Sequence, residues 1–74
     1  MDIETRVLLL GILKKEHDET LKDVVLKLEQ SHLFTLKEGK KRLKDLKNQG
    51  FIGENSLTIK GELEAKNIEK EFKL

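Results

Sequence analysis

Apolar residues recur at helical spacing in four segments of the chain, and polar clusters separate these segments. In the first, residues 3–16, apolar positions cover most of the helix circumference, so we expect this helix to be buried on several sides. Thr20 and Asp23 have the spacing of a capping box and open a second helix. Its apolar residues follow at i, i+3, i+4 and i+7: Leu21, Val24, Val25 and Leu28.

The third segment, residues 35–49, combines an apolar stripe with a lysine stripe. At about 100° per residue, four positions share one narrow arc: Leu36, Gly39, Leu43 and Leu46. The opposite side carries Lys37, Lys41, Lys44 and Asn48. Thr35 suits the N-cap, and Gly50 can adopt the left-handed conformation that ends helices. Burial of the leucines would therefore turn the lysines to solvent.

A β-hairpin is predicted next. Residues 51–52 and 57–59 are β-prone, and the turn-forming residues 53–56 lie between them. Thr58 then caps a last helix whose inward stripe is Gly61, Ala65, Ile68 and Phe72. All three phenylalanines are expected in the core: Phe34, Phe51 and Phe72.

The composition indicates a single domain spanning residues 1–74 in an intracellular protein. Hydrophobic residues make up 36%, enough for a small core, although 39% are charged. The chain has no cysteine, hence no disulfide or thiolate chemistry. The longest apolar run, residues 7–13, is about a third of a bilayer span, so we expect a cytoplasmic protein without a membrane partner.

The positive charge is concentrated in one segment. The net charge is only +1, yet residues 36–50 contain six basic and two acidic side chains, a local +4 that leaves −3 for the rest of the chain.

Two motifs in this order resemble winged helix-turn-helix proteins, in particular small transcriptional regulators. Residues 42–52 resemble the end of that family's recognition helix, and residues 57–61 resemble its strand-to-helix junction after the wing. The resemblance implies a mainly α protein with a short β-hairpin (α+β): a three-helix core, a two-stranded wing and a C-terminal helix. It also implies double-stranded DNA as the partner, with helix 35–49 in the major groove. The matching contact positions are Thr35, Lys37, Lys40, Lys41, Lys44 and Asn48.

The lysine stripe leaves other roles open. Lysine is a flexible point charge suited to phosphates, so the stripe favours affinity over base specificity. The alternatives are a solvated face or a winged-helix protein–protein interaction module that meets an acidic partner. Binding of RNA or single-stranded DNA is disfavoured because the chain has no Trp or Tyr for stacking.

No catalytic or cofactor site is expected. His17 and His32 are isolated in predicted connections, and the carboxylates are spread among lysines on helix surfaces. We therefore expect neither an enzyme nor a metal site.

A homodimer is predicted from surplus apolar surface. Leu8 is expected to point away from its own core, and Ile59 and Leu63 lie opposite the inward stripe of the last helix. These three residues are the candidate dimer contacts.

Overall fold

Four α-helices, each begun by a side chain that accepts a backbone hydrogen bond, form the computed structural model, which describes residues 1–72. They are α1 (Ile3–Lys14), α2 (Leu21–Gln30), α3 (Leu36–Asn48) and α4 (Ile59–Phe72). Helix α1 packs against both α2 and α4, and α2 packs against α3. The first helix is therefore central, as its all-round apolar pattern predicts, although it ends at Lys14 rather than at residue 16.

Short polar side chains fix where the helices begin. The carboxylate of Asp2 accepts a hydrogen bond from the Thr5 backbone N–H at 2.9 Å and starts α1. Thr20 and Asp23 form the predicted capping box of α2. At α4 the Thr58 hydroxyl accepts from the Gly61 N–H at 3.0 Å. Each bond satisfies a backbone donor that the helix itself leaves free.

The core lies among all four helices and the segment that joins α3 to α4. Its buried apolar residues are Leu8, Leu9, Ile12, Leu21, Val24, Val25, Phe34, Leu46, Phe51, Ile52, Ala65 and Ile68. Phe34 and Phe51 are buried as predicted, but the side chain of Phe72 is 39% exposed at the end of α4. Phe72 is therefore a boundary residue and not part of the core.

The predicted wing is wrong. Residues 1–72 contain no strand, only one antiparallel bridge between Ile52 and Leu57, so the fold is all-helical and not an α+β winged helix. Phe51 and Ile52, which were predicted to form a strand of the wing, instead bury their side chains in the helical core. The Phe51 carbonyl accepts from the Thr58 N–H at 3.0 Å, at the start of α4. This bond and the one from the Gly53 N–H to the Ser56 carbonyl at 2.8 Å form the single bridge, and the pairing ends there because α4 begins at Ile59.

The close contact between the start of α4 and Phe51 explains why residue 61 is a glycine. A Cβ atom on Gly61 would lie 1.8 Å from the carbonyl oxygen of Phe51. Only glycine allows α4 to start this close to the buried segment.

Candidate nucleic-acid interface

Helix α3 begins with a capping box. The Thr35 N–H donates to the Glu38 carboxylate at 3.0 Å, and the Glu38 N–H donates to the Thr35 hydroxyl at 3.1 Å. The backbone hydrogen bond from Thr35 lowers the pKa of Glu38, since it stabilises the charged carboxylate. Thr35 is the predicted N-cap, and the helix starts at the predicted residue.

The other end of α3 is closed by a Schellman-type arrangement. Gly50 has a φ of 81°, and the Phe51 N–H donates to the Leu46 carbonyl at 2.9 Å. The ammonium group of Lys60 donates to the Gln49 carbonyl at 2.9 Å and lies 4.8 Å from the centre of the Phe51 ring. A cation at this end is favourable, because carbonyl groups give a helix C-terminus a partial negative charge.

The inner face of α3 is seated tightly on α2. Gly39 and Leu46 are buried, and Leu43 packs against the core. A Cβ atom on Gly39 would lie 2.6 Å from Cγ1 of Val25 and 2.8 Å from Cε1 of Phe34, so glycine permits close approach of the two helices. This contact fixes the rotation of α3 and determines which side chains reach solvent.

All six predicted contact residues reach solvent. The exposed set is Thr35, Lys37, Lys40, Lys41, Lys44 and Asn48. Lys47, which is not among the predicted contacts, is exposed as well, and its spacing of three residues from Lys44 places it on the same side. The five lysines of α3 lie within an arc of about 120° of the helix circumference. We call this surface, with Asn48, the lysine face.

The lysine face has no acidic partner within residues 1–72. None of its five ammonium groups forms a salt bridge with a described residue, whereas three lysines elsewhere do: Lys14 with Glu69, Lys27 with Glu19, and Lys66 with Glu62. Neither acidic residue of α3 pairs with these lysines, since Glu38 is held by the capping box and Asp45 is in no salt bridge. The face therefore presents five ammonium groups that no salt bridge with residues 1–72 neutralises.

Arg42, the one arginine of α3, is turned away from this face. Its side chain is 20% exposed and forms a salt bridge with Asp2 at 3.3 Å. The guanidinium carbon lies 5.9 Å from the centre of the Phe34 ring. Its Nε is buried and has no hydrogen-bond partner among the described residues. Arg42 thus links α3 to the start of α1.

Comparison of the chain with known protein families, curated proteins and solved structures finds no match. Function therefore has to rest on the geometry of α3.

The candidate dimer contacts are reduced to two. Leu8 is 0% exposed, so the prediction that it points outward is wrong. The helix α1 lies between α2 and α4, and these neighbours bury apolar positions that looked surplus on a single helix. Ile59 and Leu63 are 82% and 61% exposed, one turn apart on α4. A homodimer through these two residues stays a prediction.

Other chemistry has little support in the described part of the chain. Residues 1–72 bring no three His, Asp or Glu side chains together in a group that could hold a metal ion. His17 and His32 are both exposed. No helix in this range is long and apolar enough to cross a bilayer.

Proposed function

We propose that this helical domain binds double-stranded DNA through the lysine face, with α3 in the major groove, and that it regulates transcription in the cytoplasm. The observation that supports the proposal is the set of five lysine ammonium groups on that face that form no salt bridge with residues 1–72. Two features of α3 add to it: capping at both ends and tight seating on α2 hold the lysines on one side of a rigid element.

The dimensions of α3 suit a groove. Thirteen residues make a helix about 20 Å long, with a diameter of about 10–12 Å including side chains. The major groove of B-DNA is about 12 Å wide and admits an α-helix. The molecule measures 29 × 25 × 24 Å, so α3 extends along most of one side.

The clustering of lysines also has an energetic implication. Like charges one helical turn apart destabilise a helix by about 0.2–0.5 kcal/mol per pair at low salt. A row of DNA phosphates would remove this repulsion, and each neutralised phosphate releases condensed counterions. Binding of a polyanion thus relieves a cost that the isolated domain carries.

Salt dependence provides the test. Binding of a labelled duplex of about 20 base pairs would be followed by fluorescence anisotropy at about 50 and 200 mM salt. Five phosphate contacts give a log–log slope of about −4.5, which is roughly a 500-fold loss of affinity over this range. Affinity that does not change with salt would reject the interface.

A pair of variants separates the lysine face from overall charge. Lys41→Gln with Lys44→Gln removes two contacts, so the slope should fall to about −2.7 and the loss to roughly 40-fold. Lys66→Gln with Lys70→Gln makes the same change in net charge on α4 and should keep the parental slope. Glutamine has nearly the helix propensity of lysine, so both variants should stay folded, which circular dichroism can verify. Equal effects of the two variants would contradict the proposal.

A further inference from the structure

The side chains that usually read base edges are engaged elsewhere in this protein. Arginine is the commonest reader of guanine, because its planar fork matches O6 and N7. The chain has two arginines, Arg6 and Arg42. Arg6 forms a salt bridge with Glu71 at 3.2 Å, and Arg42 forms one with Asp2 at 3.3 Å. Neither is on the lysine face.

The first turn of α3 also has few free side chains that could contact base edges. In a recognition helix the N-terminal residues usually contact base edges. Here the Thr35 hydroxyl and the Glu38 carboxylate are both held by the capping box. Lys37 is the polar side chain of this turn that makes no hydrogen bond within the described residues.

The remaining polar groups of the lysine face discriminate poorly between base pairs. A lysine ammonium is a donor only, on a flexible stem. Every base pair offers an acceptor in the major groove, and every phosphate offers acceptors as well, so an ammonium group is satisfied by any sequence. Asn48 is the one amide of the face, and it is the last residue of α3. One amide at the far end of the helix cannot specify a site.

We propose that the lysine face recognises the phosphate backbone of double-stranded DNA and does not select a base sequence. This inference rests on the proposed function and specifies its substrate as duplex DNA of any sequence. The role in transcription would then come from occupying DNA generally and not from finding one operator.

Three duplexes of equal length and different composition test the inference: one A·T-rich, one G·C-rich and one mixed. Anisotropy titrations at several salt concentrations should give dissociation constants that agree within about threefold, with equal salt slopes, because phosphates set both quantities. A duplex bound more than about tenfold more tightly than the others would overturn the inference while leaving DNA binding intact. Absence of binding to all three would defeat the proposed function and the inference with it.

Asn48→Ala provides the internal control. If the amide reads no base, the ratio of the three dissociation constants should stay within the same threefold range as in the parent protein. A tenfold change in that ratio would show that Asn48 selects a base, and would also overturn the inference.

Discussion

Removing one positive charge from the middle of the lysine face should make the protein more stable. Lys44 lies one helical turn from three other lysines: Lys40, Lys41 and Lys47. At about 0.2–0.5 kcal/mol for each like-charge pair, Lys44→Gln should raise the free energy of unfolding by roughly 0.6–1.5 kcal/mol at low ionic strength. For 74 residues the whole free energy of unfolding is about 4–11 kcal/mol, so the gain is measurable.

Urea unfolding at two salt concentrations would measure this gain in the free energy of unfolding. The Debye length is about 30 Å at 0.01 M salt and about 3 Å at 1 M, so the difference between variant and parent should nearly vanish at high salt. Lys66→Gln is the control variant, and it should change the free energy of unfolding in the opposite direction. Lys66 pairs with Glu62 at 3.1 Å, and loss of that exposed pair should lower the free energy of unfolding by up to about 0.5 kcal/mol.

Two results would refute the reasoning. If Lys44→Gln is no more stable than the parent at low salt, the lysines do not repel one another as their spacing requires. If the gain persists undiminished in 1 M salt, it comes from something other than charge. The expected outcome joins two properties of one surface, because the substitution that stabilises the fold would also remove one of the proposed phosphate contacts.

Three further predictions follow from single sites. His32 has a φ of 64°, a left-handed conformation that costs side chains other than glycine about 1–2 kcal/mol, whereas glycine loses about 0.4–1 kcal/mol through the greater freedom of the unfolded chain. His32→Gly should therefore raise the free energy of unfolding by up to roughly 1 kcal/mol; a loss would show that the side chain contributes more than its strain. The pKa of Glu38 is lowered from 4.5 by the Thr35 N–H, so its stabilisation is present above pH 4.5 and is lost as the pH falls through the lowered value. Glu38→Gln should therefore flatten the acid limb of an unfolding titration, and an acid limb identical to that of the parent would contradict this role of the carboxylate. If the homodimer forms, light scattering should give a dimer mass for the parent and a monomer mass for Leu63→Glu; a monomeric parent, or a dimeric variant, would contradict that contact.

Helix boundaries could be predicted because capping is local chemistry. A threonine or aspartate that accepts a backbone N–H, and a glycine at positive φ, act within a few residues of the helix end. The caps at Thr20, Thr35, Gly50 and Thr58 are all confirmed. The outward direction of the lysines was also predictable, because the periodicity of the leucines fixes it.

The hairpin and the role of Leu8 could not be predicted, because both depend on neighbours distant in sequence. Bulky residues favour strands mainly by fitting half-buried surfaces, and the helical core accommodates Phe51 and Ile52 without a partner strand. A two-stranded hairpin alone is marginal in any case. The exposure of Leu8 depends on how many helices surround α1, which a single helical projection does not contain.

The sequence also could not predict that the Arg42 side chain turns away from the lysine face. Sequence spacing places it between the lysine face and the core, and only the approach of Asp2 from the start of α1 decides its direction. The count of six basic residues therefore overstated the face by one cation, and the predicted contact positions omitted Lys47.

Helix α3 is tied to the start of α1 through the Arg42–Asp2 salt bridge and to the first turn of α4 through the hydrogen bond from Lys60 to the Gln49 carbonyl. Opening α3 alone would break both ties and uncover Leu46, so its amides have no low-energy route to solvent. Hydrogen–deuterium exchange in the middle of α3 should consequently be as slow as that of α1, and the two should speed up together when the whole molecule unfolds.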